Sequence, residues 1–320
     1  MTDKKIIAIA GATGAQGGGL ARAILADPSG GFAVRALTRD VNSDKAKVLA
    51  KLGAEVVAAD LDDPSSLNRA FAGAYGAFCV TFFWAHFSPE RETANARALA
   101  EAGKQTAVKH VIWSTLEDTR KFVPLSDNRM PTLQGKYKVP HLDSKGEADA
   151  DFQRLPSTLL LTSFYWDNLI FFGMGPKRGP DGKLAFTLPM GERRLPGIAA
   201  EDIGKCAYGI FKRGDEFIGK TVGISGEQLT GSQMAADLSE AVGEEVAYNY
   251  VPPEVYRTFG FPGAEDLGNM FQFFRDFAEP MGAARSVDFS RSVNSELQTF
   301  KQWLQGNIGS IQIEPKKASA

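Results

Sequence analysis

The chain of 320 residues is 43% hydrophobic and carries 36 Lys and Arg against 38 Asp and Glu, for a net charge of −2. This length can bury a large core and fits one large domain with a smaller addition. The near-neutral charge gives no electrostatic footprint for nucleic acid, so we do not predict direct nucleic-acid binding. Cys79 and Cys206 lie far apart and indicate neither a disulfide framework nor a zinc site, which fits a reducing compartment.

No stretch of the sequence resembles a membrane span or a secretory signal. The first residues run straight into an apolar strand pattern, and no apolar run reaches the roughly 18 residues that a membrane helix needs. We therefore predict a cytoplasmic protein without a membrane partner, and we leave access to the nucleus open.

A short apolar strand at 4–10 leads into a glycine-rich turn and a helix that begins near Ala15. Gly11, Gly14 and Gly17 allow, in that order, a tight turn, a close approach of a pyrophosphate to the backbone, and close packing of helix on strand. The helix start directs free N–H groups and a partial positive charge at such a phosphate. Because the glycines lie between a strand and a helix, the motif predicts dinucleotide binding.

Strand and helix patterns then alternate with short connections as far as residue 163. Further strands are predicted at 32–37, 54–59, 76–80, 109–114 and 157–162, and helices at 18–26, 44–52, 63–71, 88–103 and 141–154. Such alternation implies right-handed crossovers and an α/β fold with a doubly wound parallel sheet, known as the Rossmann architecture. A polar stretch at 115–140 interrupts it, and loops of this length are usually functional or disordered.

The second half of the chain alternates less regularly and predicts a smaller α+β domain. We expect an excursion with one or two short strands at 173–196. After it we expect a helix at 200–213, a strand at 219–225, a helix at 230–242, a strand at 246–250, a helix from Pro253, an aromatic-rich helix at 267–277 and a final helix at 294–304. The predicted division is a Rossmann domain at 1–163 rejoined by about 195–228, a smaller domain at 164–194 and 229–312, and a disordered tail at 313–320.

The residues that follow the second strand indicate which nicotinamide cofactor binds. A basic residue there favours NADP and an acid favours NAD. Arg39 can bind a 2′-phosphate with its planar guanidinium, and Lys45 offers a second cation, so NADP(H) is preferred. Asp40 keeps NAD open, and Arg39 also suits a solvated loop. Asp60 and Leu61, after the third strand, are placed to border the adenine, although Asp60 equally suits a turn.

The chain resembles the NmrA-like family of atypical short-chain dehydrogenases over nearly its whole length, and within it the NADPH-sensor branch called HSCARG-like. The glycine motif at 11–18 and the stretches 34–39 and 53–57 carry this resemblance, and the stretches 141–147 and 260–264 carry it more specifically. In that family a Rossmann domain holds NADP(H), and a smaller C-terminal part covers the cleft or meets protein partners.

The resemblance also implies a set of cofactor contacts. These are Gly11, Thr13, Gly14, Gln16, Gly17, Arg39, Lys45, Asp60, Thr81, Phe82, Phe83, Lys145, Tyr165 and Asn168. Ala15, at the helix start, and Leu61 complete the predicted cofactor site. Phe82 stands where the sensor branch has a polar residue.

Ordinary short-chain dehydrogenases use Tyr-x-x-x-Lys, in which the tyrosine transfers a proton and the lysine holds the nicotinamide ribose from the same helix face. Here that pair is His141 and Lys145. A histidine crowded by a cation favours its neutral form and is a poor proton donor. A role as acid and a purely structural role at the helix start both stay open. Ser114 or Thr115 could polarise a carbonyl or satisfy local backbone groups.

The missing tyrosine favours an NADP(H)-binding redox sensor or regulator with little intrinsic turnover, which reports cofactor state to a regulatory protein partner. The alternative is an NADPH-dependent reductase of a small carbonyl-type substrate that uses Lys145 and His141. We predict no metal site, because the three histidines and two cysteines are scattered. A homodimer is left open, and 115–140 and 173–196 are predicted to move when the cofactor binds.

Overall fold

The structure, a computed structural model, describes residues 4–315, so most of the tail predicted at 313–320 lies outside the described residues. The strands are β1 Lys5–Ile9, β2 Phe32–Thr38, β3 Glu55–Ala58, β4 Gly76–Cys79, β5 His110–Thr115, β6 Ser157–Leu161, β7 Phe164–Tyr165, β8 Lys177–Arg178, β9 Leu184–Leu188, β10 Leu195–Ile198, β11 Thr221–Gly223, β12 Glu227–Leu229 and β13 Val246–Tyr250. The helices are α1 Ala15–Leu25, α2 Asp44–Lys51, α3 Pro64–Phe71, α4 Pro89–Gln105, α5 Pro140–Phe152, α6 Asn168–Phe171, α7 Ala200–Lys212, α8 Gly231–Val242, α9 Pro253–Tyr256, α10 Ala264–Asp276, α11 Ala278–Ala283, α12 Val287–Val293 and α13 Phe300–Asn307.

The large sheet has seven parallel strands in the order β11-β6-β5-β4-β1-β2-β3. The chain moves outward from β1 to β3 and then returns to place β4 on the other side of β1. Ligands bind at such a reversal point, outside the carboxyl ends of the strands. The predicted doubly wound parallel sheet is confirmed, and it places the turn after β1 at the reversal point.

Apolar residues on both faces of this sheet are buried under helices. Leu20 of α1 and Ile203 of α7 belong to the core on one face, whereas Phe71 of α3, Leu99 of α4 and Phe152 of α5 belong to the core on the other. The strands that carry the predicted site are therefore held rigidly from both sides.

A third core belongs to the C-terminal half, where two small sheets have the orders β12-β10-β7 and β13-β9-β8. The excursion at 173–196 contains β8, β9 and the start of β10, one strand more than the two expected at most. These contacts bear on the segment at about 195–228 that is predicted to rejoin the Rossmann domain. Within it, β10 pairs with β7 in a small sheet, whereas α7 packs on α1 and β11 completes the large sheet. The division into two domains stays a prediction.

The final helix predicted at 294–304 exists, but its predicted start at 294 is wrong. Asn294 instead follows the end of α12, and its side-chain amide donates to Asp202 of α7 at 3.3 Å. The last α-helix begins at Phe300, because Thr299 and Gln302 form a capping box in which each side chain bonds to the other's backbone N–H group. The spacing of Thr299 and Gln302 in the sequence is typical of a helix start and indicates the correct boundary. None of the helices within 4–315 is both long and apolar enough to cross a membrane.

The polar stretch at 115–140 is tied to the helices on both sides of it. The fully buried carboxylate of Asp143 accepts the backbone N–H and hydroxyl of Thr119 and the backbone N–H groups of Lys138 and Val139, at 2.6–3.0 Å. From α10, the amide of Asn269 donates to the carbonyl of Lys138 at 2.6 Å. The loop therefore connects α5, which covers the large sheet, to α10 of the C-terminal half.

Candidate cofactor site

The turn between β1 and α1 forms a cradle of backbone atoms. Gly11 has φ +65°, a left-handed conformation that favours glycine, and its carbonyl accepts the N–H of Gly14 at 2.8 Å. A Cβ on Gly17 would lie 2.5 Å from that carbonyl oxygen, so only glycine fits there. Gly14, the N-cap of α1, offers no side chain to the first-turn N–H groups, and that turn contains no acid. These N–H groups suit a pyrophosphate, which is the group that the motif predicts.

Two cations lie exposed beyond the end of β2. Neither Arg39 nor Lys45 forms a side-chain hydrogen bond or ion pair within residues 4–315. The competing acid, Asp40, holds the turn into α2, because its carboxylate accepts the backbone N–H of Asn42 at 2.8 Å. The guanidinium of Arg39 and the ammonium of Lys45 are therefore both open to an anion such as a 2′-phosphate.

Asp60 and Leu61 lie where the third strand ends, as predicted. The carboxylate of Asp60 accepts the backbone N–H of Asp62 at 3.0 Å, and its own N–H donates to the hydroxyl of Ser66 at 3.0 Å. Asp60 thus has the turn role that the sequence left open. Its side chain is also exposed, and contact of either residue with adenine stays a prediction.

A hydrogen-bonded chain of side chains crosses the floor of the site. The hydroxyl of Ser114 donates to Gln16 at 2.7 Å, and the amide of Gln16 donates to the hydroxyl of Tyr165 at 2.5 Å. Burial raises the pKa of Tyr165 to about 12, so its hydroxyl stays protonated at neutral pH. The chain joins β5, α1 and β7. The hydroxyl proton of Ser114 is therefore used in the hydrogen bond to Gln16. A catalytic role for Ser114 stays a prediction.

Lys145 is paired with a residue that sequence reasoning missed. Its ammonium lies 2.7 Å from the carboxylate of Glu92 and donates to the hydroxyl of Thr81 at 2.6 Å. Glu92, in the first turn of α4, is fully buried and also accepts the hydroxyl of Thr81 at 2.6 Å. His86 lies 3.4 Å from the other oxygen of Glu92. Acids are common in the first turn of helices, so nothing in the sequence distinguished this one.

His141 is also paired with an acid, and this corrects the expectation that a cation crowds it. Its Nδ1 lies 2.5 Å from Oδ1 of Asp266, and its backbone N–H donates to Oδ2 of the same carboxylate at 3.1 Å. The ammonium of Lys145 is neutralised by Glu92 instead. Asp266 belongs to α10 and lies 125 residues away in the chain, so its role had no local signal.

The segment after β4 supplies an aromatic cluster beside His141. Phe83 is only 3% exposed, and its ring packs on Trp84 and on the imidazole of His141. This corrects the cofactor contact that the resemblance implied for Phe83, because its ring is not open to a ligand. Phe82 is 62% exposed. Asn168 begins α6 and is half-buried without a side-chain hydrogen bond in the described part of the chain. Among these residues, Phe82 and Asn168 are free to meet a ligand.

The structure therefore brings most predicted residues to one edge of the sheet. The residues that share it are Gly11, Thr13, Gly14, Ala15, Gln16 and Gly17 after β1, Arg39 after β2, Asp60 and Leu61 after β3, Thr81, Phe82 and Phe83 after β4, and Ser114 in β5. Tyr165, in β7 of a small sheet, joins them through its hydrogen bond with Gln16, and Lys145, in α5, joins them through Thr81. Their assignment to a cofactor stays a prediction. Within residues 4–315, no three His, Cys, Asp or Glu side chains are grouped to hold a metal ion.

Comparison with known proteins agrees with the family resemblance found in the sequence. The model of the NmrA-like family matches residues 3–304. The NmrA-like family domain-containing oxidoreductase FrzB of Cladobotryum sp is 31% identical over 314 residues, which cover 90% of each chain.

Solved structures of NmrA, described as a negative transcriptional regulator, are similar over the whole fold. Its complex with NADP has a TM-score of 0.76 and 25% identity, and its complex with NAD has a TM-score of 0.77 and 25% identity. Each comparison covers 95% of both chains. The narrower resemblance to the HSCARG-like branch stays a prediction.

Proposed function

Since this chain belongs to the NmrA-like family, we propose that it binds NADP(H) and acts as a cofactor-responsive regulator with little turnover of its own. The observation that carries the proposal is the uncapped start of α1 beside two unpaired cations, Arg39 and Lys45. Together they provide partners for a pyrophosphate and a 2′-phosphate. The complex of NmrA with NADP supports the cofactor, and the description of NmrA as a negative transcriptional regulator supports regulation.

The regulatory role is supported by side chains that are already engaged. Lys145 is bound by Glu92 and Thr81, and Ser114 is bound by Gln16, so neither is free for chemistry. A ribose that binds Lys145 has to compete with a buried carboxylate. Cofactor binding would then change contacts on α5, the helix that also anchors the loop 115–140. A ligand shifts a conformational equilibrium only through such differential contacts.

Calorimetric titration with NADPH, NADP⁺, NADH and NAD⁺ tests the cofactor. NADP(H) should bind more tightly than NAD(H), and Lys145→Ala should weaken binding. Hydrogen exchange tests the regulatory step, because amides in 115–140 and 173–196 should become more protected when NADPH binds. NADPH oxidation should stay at background over a panel of aldehydes, ketones and quinones. Failure of all four nucleotides to bind would refute the proposal as a whole.

A second candidate is an NADPH-dependent reductase of a small carbonyl-type substrate. His141 stands at the position of the catalytic tyrosine, and its Nε2 has no hydrogen-bond partner among the described residues. The similarity to FrzB, which is named an oxidoreductase, also favours this candidate. Turnover that depends on the substrate and is abolished by His141→Ala would establish it in place of the regulator.

A further inference from the structure

His141 is held by one carboxylate at two points. Oδ1 of Asp266 lies 2.5 Å from Nδ1 of the imidazole, and Oδ2 accepts the backbone N–H at 3.1 Å. Both side chains are about nine-tenths buried, at 8% exposure each. The ring of Trp84 packs against the imidazole at a centroid distance of 4.8 Å, and the ring of Phe83 packs against it at 5.9 Å. These contacts leave the imidazole little freedom to rotate.

This arrangement determines which nitrogen of His141 can exchange a proton. An ionised carboxylate only accepts hydrogen bonds, so the proton of a neutral imidazole lies on Nδ1. Nε2 is then bare in the neutral ring and carries an N–H in the imidazolium. Nε2 has no partner of its own between residues 4 and 315, so it is the atom that remains free to meet a ligand.

The charges around His141 also allow it to carry a proton. The carboxylate of Asp266 stabilises the imidazolium by direct contact. The cation of Lys145, one turn further along α5, is offset by Glu92 at 2.7 Å, so its repulsion is reduced. Without Asp266, the buried imidazolium would have no counter-charge among the contacts that the structure gives it.

We propose that Asp266 is a positioning residue that sets the tautomer of His141 and makes Nε2 the proton donor for a bound carbonyl substrate. The inference rests on the second candidate function, the reductase. In that reaction the carbonyl carbon gains the hydride that NADPH supplies, and the carbonyl oxygen gains the proton of Nε2. The imidazole is left neutral with its remaining proton on Nδ1, facing Asp266.

Long-range ¹H–¹⁵N NMR of the imidazole nitrogens tests the tautomer without any substrate. The signals of His141 are identified by their loss in His141→Gln. The neutral ring of the unmodified protein should show protonated Nδ1, and Asp266→Asn should shift the population toward protonated Nε2. Glu265→Gln is the matched control, because it removes an exposed carboxylate from the same turn of α10 and should change neither nitrogen.

Kinetics then test the positioning role. For any carbonyl substrate that turns over, Asp266→Asn should lower kcat at least tenfold and leave the Kd of NADPH within about twofold, whereas Glu265→Gln should leave both unchanged. A neutral His141 protonated on Nε2 in the unmodified protein, or a tautomer unaffected by Asp266→Asn, overturns the inference. Absence of turnover with a normal NMR result refutes the reductase candidate and the donor role, while the tautomer assignment stands.

Discussion

Removal of the guanidinium of Arg39 should abolish most of the preference for NADP(H) over NAD(H). Arg39 is exposed and has no ion pair in the described chain, so no existing contact has to be broken when a 2′-phosphate binds. A charge-assisted hydrogen bond contributes on the order of 1.5–3 kcal/mol, and solvent exposure argues for the lower end of that range. Since about 1.4 kcal/mol is a factor of ten in affinity, Arg39→Ala should weaken NADP(H) binding about tenfold.

The assay is calorimetric titration of each variant with NADPH and NADH. The affinity for NADH should stay unchanged in Arg39→Ala, because the 2′-hydroxyl of NADH carries no charge. Lys45→Ala should show a smaller effect in the same direction, and Lys47→Ala should show none, because its side chain lies two residues further along α2 on a different face. The preference should also shrink as salt is raised. Equal affinities for NADPH and NADH in the unmodified protein would refute the reasoning.

Three further predictions concern the glycine turn, the buried ion pair and a buried histidine. Gly17→Ala should destabilise the protein by about 2 kcal/mol and prevent NADPH binding, because its Cβ would lie 2.5 Å from a backbone carbonyl oxygen. Gly18→Ala should cost less, because its Cβ would meet the flexible side chain of Arg22 at 3.1 Å and the carbonyl oxygen of Ala12 only at 3.2 Å. Glu92→Gln should cost on the order of 3 kcal/mol in chemical denaturation, because it leaves Lys145 without its buried counter-charge. Burial lowers the pKa of His110 to about 4. The folded protein therefore binds a proton at His110 less readily than the unfolded chain does, and the free energy of unfolding falls as the pH drops from about 6.5 to about 4. At pH 4.5 this loss amounts to roughly 2.5 kcal/mol relative to pH 7.

Each of these predictions has a contradicting result. Equal NADPH affinity and stability for the two glycine variants would show that the turn tolerates a Cβ. A Glu92→Gln variant as stable as the unmodified protein would show that the pair is not buried in solution. For His110, the comparison is the loss of unfolding free energy between pH 7 and pH 4.5, which should be smaller in His110→Gln; an equal loss in both proteins would refute the assignment.

The large sheet and the phosphate cradle follow from residues that are close together in the chain. The glycine spacing at 11–17 requires a turn between a strand and a helix, whatever packs around it. Asp63 and Pro64 likewise begin α3 as their order predicts, and the carboxylate of Asp63 accepts the N–H of Ser65 at 3.0 Å. Arg39 follows the strand predicted at 32–37, which the structure extends to Thr38. Such features depend on backbone geometry and local hydrogen bonds, so they could be predicted.

The partners of the site residues were decided only by the tertiary structure. Asp266 reaches His141 across 125 residues, and Gln16 reaches Tyr165 across 149. Glu92 reaches Lys145 from a helix on the same face of the sheet. Hydrophobic periodicity shows that a helix face is buried, but it does not show which distant polar group is buried beside it. A buried charge has to find a partner wherever the packing of the helices places one, and that packing is set by the whole chain.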